Sequence, residues 1–298
     1  MRIKGIYASR PAIMQLWALL ILLVAGVILS SLFSSGLILL TSGEGSSITE
    51  NTNLMRWIQF ISAICTFLLP ALALAWICTD HPREYLSIKK ISDERIWILL
   101  FTCMFLLSPA INLIGLLNEQ MSLPRFMAPI EEWMRNQEDV AAELTNKMLS
   151  GNGWGDLLTN LIVIAATAAI TEEFLFRGAL QRVIERWTSN PHLIIWLAAI
   201  LFSAFHLQFY GFLPRMLLGA YFGYLLYWGK SIWLPVFAHF TNNAFAVIYM
   251  SNSHLNENEF ITGEISSEHL LNYSFMAILF FLLFLLANQQ IKRWLKNT

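Results

Sequence analysis

The chain alternates between long apolar stretches and short polar connections. A helix needs about 20 mostly apolar residues to cross the hydrocarbon core of a bilayer. Read at that length, the pattern predicts eight transmembrane helices, near residues 13–40, 57–78, 96–117, 157–180, 193–209, 213–228, 231–250 and 271–288. The first is longer than the apolar region of a cleavable signal peptide, so we interpret it as a span. We therefore expect an all-α membrane protein that forms a single polytopic domain over residues 1–298.

The positions of the basic residues favour this count and predict an orientation. With eight alternating spans and the N-terminus in the cytoplasm, all of the 19 Lys and Arg residues lie on the cytoplasmic side except Arg56, Arg125, Arg135, Lys147 and Arg215. Cytoplasmic loops of membrane proteins carry such an excess of positive charge. The 251–269 loop, with Glu257, Glu259, Glu264 and Glu268 and no Lys or Arg, falls outside. This distribution predicts a multi-pass protein of the cell (inner, cytoplasmic) membrane with both termini in the cytoplasm.

Composition supports a lipid environment. Hydrophobic residues make up 56% of the 298 residues and charged residues only 13%, whereas about 25% of a soluble domain is charged. The net charge of -1 gives no reason to expect a nucleic acid partner. Cys65, Cys78 and Cys103 lie in apolar stretches without paired spacing, so the sequence predicts neither disulfides nor a cysteine metal site.

The longest polar segment, residues 118–155, is predicted to be an extracytoplasmic connector. Apolar residues recur in it at intervals of roughly three or four, at Ile130, Trp133, Met134, Val140, Leu144 and Met148. This spacing is typical of an amphipathic helix at a membrane surface. A connector helix docked on the rest of the protein would show the same pattern.

Ionisable residues at membrane depth are the first candidates for function, because each costs roughly 2.5–3.5 kcal/mol to insert. The fourth predicted span contains Thr171-Glu172-Glu173-Phe-Leu-Phe-Arg177. Glu173 and Arg177 are four residues apart and are predicted to form an ion pair on one helix face. Glu172 points about 100° away from Glu173 and has no such partner nearby, so it is a candidate general base.

Two further motifs lie on other predicted spans. Phe202-Ser-Ala-Phe-His206 belongs to the fifth span, and His239-Phe-Thr-Asn-Asn243 belongs to the seventh, where His239 and Asn243 share a helix face. Glu172 and His206 would then activate a water molecule while His239 and Asn243 stabilise an oxyanion. Alternatively, Glu172, His206 and His239 would bind a divalent metal such as Zn²⁺ with one open position. Both interpretations predict a water-activated acyl hydrolase, and the residues alone leave the cofactor open.

Glu-Glu-x-x-x-Arg, Phe-x-x-x-His and His-x-x-x-Asn, in this order on predicted spans, resemble the motif set of the CPBP family. That family contains CAAX prenyl proteases and the bacteriocin-processing and immunity-like proteins, and the resemblance covers roughly residues 155–250. It implies a CAAX-protease-like helical bundle with a buried catalytic cavity open to the cytoplasm. It also implies an intramembrane endopeptidase whose substrate is a membrane-embedded or membrane-associated peptide or protein. The catalytic residues carried over are Glu172, His206, His239 and Asn243, with Glu173, Arg177 and Phe202 in support.

Other functions are compatible with these residues. A non-proteolytic scaffold or immunity-type protein of the same fold would use the cavity to hold a partner. A proton-coupled transporter would use Glu and His as a relay, but the sequence lacks the repeat halves and paired broken helices of transporters. For Glu172, His206 and His239 to meet, the fourth helix must extend to about Arg186, and the fifth must sit deeper than its predicted bounds.

Overall fold

The described residues form helices and connections without a strand. The structure, a computed structural model, describes residues 3–41, 51–151, 153–252, 255, 258–263 and 265–296, without the side chain of Ile261. Within these ranges every regular element is helical, which confirms the all-α prediction. Glu257 and Glu264 of the predicted outer loop lie outside the described residues.

Nine long helices occupy the described ranges. They are α1 (Ala12–Thr41), α2 (Thr52–Cys78), α3 (Arg95–Glu119), α4 (Ala128–Leu149), α5 (Trp154–Ile184), α6 (Pro191–Phe205), α7 (Phe212–Gly229), α8 (Trp233–Met250) and α9 (Leu270–Lys296). Short helical turns at Pro82–Tyr85, Arg125–Met127 and Glu259–Thr262 lie between them.

Five of these helices, α1, α2, α3, α5 and α9, are long and apolar enough to cross a bilayer. The chain is therefore a multi-pass membrane protein. The other three predicted spans coincide with α6, which has 15 residues, and with α7 and α8, which have 18 each. These three are shorter or more polar, so the count of eight spans stays a prediction.

Two apolar clusters form the core. In the first, α5 packs against α1, α2 and α6, with Leu74 and Val183 completely buried. In the second, α7 packs against α3, α8 and α9, around Leu100 and Leu225. The polar residues of the three motifs lie where α5 and α6 meet α7 and α8.

The bounds of α5 and α6 differ from those predicted, and both differences concern the motifs. Helix α5 continues to Ile184, because Arg182 donates from Nε to the carbonyl oxygen of Tyr85 (3.0 Å) and from Nη2 to Ser87 Oγ (2.6 Å). Helix α6 ends at Phe205, before the predicted end of the fifth span, and Leu207 has a left-handed backbone (φ 54°). His206 therefore caps α6.

Helix α5 contains two π-helical stretches, Leu161–Thr167 and Phe174–Leu180. Thr167 Oγ donates to the carbonyl oxygen of Ile162, five residues earlier, at 2.8 Å. Such stretches interrupt α-helices most often near functional sites. The six α-helical residues between them end at Glu172 and Glu173.

The predicted connector helix is present as α4, and it docks on the turn between α6 and α7. The Trp133 ring lies 5.5 Å from the Phe209 ring, and the Arg135 guanidinium lies 4.4 Å above the ring of Tyr210. Val140 and Leu144 of the apolar stripe remain exposed. The helix thus has the contacts of a docked connector together with an uncovered apolar stripe.

Arg56 joins the start of α2 to the junction of α4 and α5. Its buried side chain donates to the carbonyl oxygens of Met148 (3.0 Å) and Ser150 (2.9 Å) and pairs with Asp156 Oδ1 at 2.8 Å. A single guanidinium therefore satisfies acceptors from two helices and the connection between them.

We expect Arg56→Met to lower the melting temperature of the detergent-purified protein, because three acceptors lose the charged donor that the buried Arg56 side chain supplies. Lys147→Met is the matched control, since it breaks the exposed Lys147–Glu143 pair of the same region, and exposed pairs contribute little. Equal melting temperatures for the two variants would contradict the role assigned to Arg56.

Candidate active site

A polar cavity of about 350 Å³ lies among α5, α6, α7 and α8. Its lining contains all four residues predicted to be catalytic, and Phe202 as well. The lining residues are Glu172, Phe202, His206, Gly211, Pro214, Arg215, Leu218, Phe222, His239, Asn242 and Asn243. The two other predicted supporting residues are not part of this lining but contact it. Glu173 contacts His239, and Arg177 packs against Phe202.

Glu172 lies at the point where the cavity brings the motifs together. Its Oε2 atom is 3.8 Å from Nε2 of His206 and 3.9 Å from Nε2 of His239. This oxygen is buried and accepts no hydrogen bond from any described residue.

His206 is oriented by its own helix. Its Nδ1 atom lies 2.8 Å from the carbonyl oxygen of Phe202, one helical turn earlier. A carbonyl oxygen only accepts hydrogen bonds, so Nδ1 carries the proton. In the neutral ring Nε2 is then a bare acceptor, and this is the atom that faces Glu172.

His239 is oriented by Glu173. Its Nδ1 atom lies 2.8 Å from Glu173 Oε1, while the ring stacks on Phe222 with centroids 5.1 Å apart and planes 18° apart. Because the carboxylate accepts the Nδ1 proton, Nε2 of the neutral ring is again a bare acceptor. His239 therefore presents its second nitrogen to Glu172 just as His206 does.

Two acceptors, the Nε2 atoms of both histidines, consequently face a third, the carboxylate oxygen of Glu172, at less than 4 Å. Acceptors at this separation need a hydrogen donor or a cation between them. A water molecule between them would donate its two hydrogen bonds to two of these acceptors. The arrangement is chemically suited to hold and polarise water.

The same donor set is of the kind that binds zinc. Two imidazole nitrogens and one carboxylate oxygen, with each imidazole donating its other N–H to an oxygen, are typical of catalytic zinc sites. Tetrahedral ligands at about 2 Å from the metal lie about 3.3 Å apart, so the observed separations are wider by about half an ångström. No group of three or more His, Cys, Asp or Glu among the described residues is arranged as a metal site. The residues fit a metal in kind, and binding would require them to close slightly.

Glu173 and Arg177 form the predicted ion pair, and Glu173 has a further partner that was not predicted from the sequence. Glu173 Oε1 accepts from Arg177 Nη1 at 2.8 Å and is also the partner of His239. The exposed fractions of the two side chains are 0% and 1%. Helical spacing in the sequence predicts only contacts between residues of the same helix, here α5. His239 lies on α8, so its contact with Glu173 could not be predicted in this way. Glu173 therefore orients a cavity residue while it neutralises a buried cation.

Arg177 is enclosed by α6 and α7. Its Nη2 atom donates to the carbonyl oxygen of Gly219 at 2.8 Å, and its guanidinium lies 4.5 Å from the ring centre of Phe202. A Cβ atom at Gly219 would be 3.0 Å from Arg177 Nη2. The missing side chain is what lets the backbone of α7 approach the cation.

Asn243 lines the cavity as predicted, next to an asparagine that motif reasoning did not select. Asn242 donates from Nδ2 to Asn243 Oδ1 at 3.3 Å. The amide nitrogen of Asn243 is then the group left to donate to a ligand. Asn242 lies within the motif stretch at one turn from His239, and this spacing is the signal that would have identified it.

Phe222 and Arg215 also line the cavity and were not predicted to belong to the site. Phe222 is one of many aromatic residues in apolar stretches, so nothing in the sequence distinguishes it. Arg215 did carry a signal, because it is a charge at the start of a predicted span, close to the His206 motif.

A family model described as type II CAAX prenyl endopeptidase, Rce1-like, matches residues 154–245. The match begins with α5 and ends inside α8, so it contains all three motifs. It confirms the resemblance to the CPBP family for this part of the chain and supports a CAAX-type intramembrane protease at the level of the family. Searches of the curated proteins and of the solved structures found no match to the chain.

The cavity lies toward the face that α4 occupies. Gly211, Pro214 and Arg215 belong to or follow the α6–α7 turn, and α4 docks on that turn through Trp133. The basic residues predict that α4 is extracytoplasmic, whereas the family resemblance implies a cavity open to the cytoplasm. These two expectations place the same turn on opposite sides of the membrane.

Single cysteines in a background without Cys65, Cys78 and Cys103 will show which side the cavity opens to. We expect His206→Cys to react with a membrane-impermeant thiol reagent from the same side as Asp139→Cys on α4. Lys90→Cys, in the basic loop, should react from the other side. Reaction at position 206 from the side of position 90 would contradict the arrangement.

Breaking the buried ion pair should destabilise the protein strongly. Removing one partner leaves an uncompensated buried charge, which costs about 3–5 kcal/mol, so Glu173→Gln and Arg177→Met should each lower the stability of the purified protein. Because the double variant leaves neither charge unpaired, we expect it to be more stable than the sum of the single effects predicts. Additive effects in thermal or denaturant unfolding would show that the two residues do not act as a pair.

Proposed function

We propose that this protein is an intramembrane endopeptidase that hydrolyses a peptide bond of a membrane-associated protein or peptide with a water molecule activated by Glu172 and histidine. The observation that carries the proposal is the convergence of Glu172 Oε2 with Nε2 of His206 and of His239 at 3.8 and 3.9 Å. The family match over residues 154–245 supports it.

In the proposed reaction, Glu172 accepts a proton from the bound water, whose oxygen then attacks the scissile carbonyl carbon. His206 Nε2 accepts the water's other hydrogen bond and keeps the attacking oxygen in place. As the tetrahedral intermediate collapses, the C–N bond breaks and the protonated Glu172 returns its proton to the leaving amine. The carboxylate is thereby restored for the next cycle.

The developing oxyanion needs hydrogen-bond donors, and the cavity offers two. Asn243 has its amide nitrogen available, as predicted for the catalytic set. His239 is the other predicted donor, but in the neutral ring its Nε2 is a bare acceptor because Nδ1 donates to Glu173, so it would donate to the oxyanion only after taking a second proton. Glu173 fixes the orientation of the His239 ring through this contact, so Glu173 supports the oxyanion site through His239.

A divalent metal such as zinc, when bound, would be held by Glu172, His206 and His239 and would supply Lewis-acid activation of the water. Phe202 supports either chemistry in the same way, because its carbonyl oxygen orients His206 and its ring covers Arg177.

For the domain organisation and membrane topology, we propose the arrangement predicted from the sequence. We propose one polytopic domain over residues 1–298 with eight spans, in the cell membrane, with both termini in the cytoplasm. Residues 155–250 form its catalytic core, and residues 118–155 form the extracytoplasmic connector. The lipid bilayer and a membrane-embedded or membrane-associated substrate are its partners.

Cleavage of membrane peptides by the purified protein in liposomes tests the proposal. We expect Glu172→Gln to lower kcat by about 100-fold or more because it removes the general base, and His239→Ala to lower it by a similar factor because it removes an oxyanion contact. Glu185→Gln is the matched control, because Glu185 lies just beyond α5 and outside the cavity. Identical cleavage products and rates for the wild type and Glu172→Gln would refute the protease function and leave a scaffold that holds a partner.

Strong chelators separate the two forms of the mechanism in the same assay. If Glu172 and histidine activate the water without a metal, the wild-type rate should survive exhaustive chelation. Loss of activity that added zinc restores, together with loss of bound zinc in His206→Ala, would instead establish the metal form.

A further inference from the structure

Arg215 is the charged cavity residue for which the proposed chemistry has no role. It lies in the first turn of α7, is half-buried and lines the same cavity as Glu172 and His206. Its guanidinium donates to two neutral acceptors of one residue, from Nη1 to the carbonyl oxygen of Gln208 (3.2 Å) and from Nη2 to Gln208 Oε1 (2.9 Å). A guanidinium has five N–H donors, so others remain for a ligand.

The other two arginines that are buried within the bundle each have a carboxylate partner. Arg56 pairs with Asp156 and Arg177 with Glu173, both at 2.8 Å. Among the described residues, no carboxylate oxygen lies within 4.0 Å of the Arg215 guanidinium. Two carboxylates, Glu138 of α4 and Glu172 of the cavity, act on Arg215 electrostatically from a longer distance, and Glu138 Oε2 accepts from the backbone N–H of Tyr210 at 3.3 Å. The protein therefore leaves this cavity cation without a direct counter-ion.

The turn that carries Gln208 and precedes Arg215 is firmly held. Buried Asn118, at the end of α3, donates from Nδ2 to the carbonyl oxygen of Phe209 (3.0 Å) and accepts from the backbone N–H of Leu213 (2.7 Å). Ser203 Oγ, on α6, donates to the carbonyl oxygen of Phe212 at 2.7 Å. Contacts from two helices thus fix the backbone around Arg215, and α4 packs on the turn as well. A cation supported in this way is preorganised to bind an anion.

Carboxylate is the anion that a peptide substrate brings to such a cation. The planar guanidinium fork binds a carboxylate through two parallel hydrogen bonds, and these charge-assisted bonds are about twice as strong as neutral ones. Gln208 is a neutral residue, so a carboxylate would replace or supplement it without leaving a charge unpaired. In a partly buried cavity this interaction is less screened than at a free surface.

We infer that Arg215 binds a carboxylate of the substrate close to the scissile bond and so selects where the peptide is cut. The inference rests on the proposed peptidase function. The carboxylate has two sources, the free C-terminus of the substrate or an Asp or Glu side chain.

Matched peptides test this role. For a peptide that the wild type cleaves, we compare the free-acid C-terminus with the C-terminal amide, and each Asp or Glu with Asn or Gln. We expect one of these neutralisations to lower kcat/KM by about 10- to 100-fold, as loss of a charge-assisted bond does. Arg215→Gln should abolish this preference mainly through KM, and Arg215→Lys should retain part of it because lysine keeps the charge without the fork.

Binding measurements distinguish failure of this inference from failure of the proposed peptidase function. In a Glu172→Gln background, fluorescence anisotropy measures the affinity of labelled acid and amide peptides without hydrolysis, with and without Arg215→Gln. Arg125→Gln, an exposed position on the connector before α4, is the control and should leave the preference unchanged. Tighter binding of the carboxylate form that depends on Arg215 supports the subsite even if no peptide is cut.

Two results would overturn the inference. In the first, the wild type binds and cleaves charged and neutralised peptides equally well. In the second, Arg215→Gln and Arg215→Lys lower kcat by the same factor for every peptide while the thermal unfolding profile stays that of the wild type. The second result would assign Arg215 to the stabilisation of the transition state.

Discussion

The buried chain Arg177–Glu173–His239 is the interaction on which the rest of the site depends. A guanidinium and a carboxylate at 1% and 0% exposure are tolerated only with close partners, because removing either charge from water costs several kcal/mol. Glu173 Oε1 accepts from both neighbours and so ties α5 to α8. Arg177 extends the link to α7 through the carbonyl oxygen of Gly219. One desolvated charge network therefore sets the spacing of the helices that form the cavity.

Adjacent glutamates acquire different functions from this constraint. Glu173 faces the packed helices, where it bonds to Arg177 and His239. Glu172, rotated by one helical position, faces the cavity and meets only the bare nitrogens of two histidines at 3.8 and 3.9 Å. The carboxylate with fewest protein partners is thus the one presented to water, which is the physical basis of the hydrolytic role that we propose.

Arg177 and Arg215 differ in the same way, one serving the fold and the other facing the cavity. Arg177 is neutralised by Glu173 and is inaccessible, so its charge serves the fold. Arg215 is held by neutral oxygens of Gln208 at the rim of the cavity, so its charge remains to be matched by a ligand. A fold that neutralises one cation and leaves another in the cavity of Glu172 supports both the hydrolytic role and the peptide-binding role that we propose.

The sequence by itself determined which long segments are helical, because apolar runs of membrane length reflect burial in lipid. It also determined the Glu173–Arg177 pair, because residues four apart on a helix are neighbours. It also identified Glu172, His206, His239 and Asn243 as one set, through motif order. Only the tertiary structure decided that Glu173 is shared with His239 and that Arg215 and Phe222 enter the cavity. Periodicity reports contacts within one helix, whereas contacts between helices depend on how the helices pack and where each one ends.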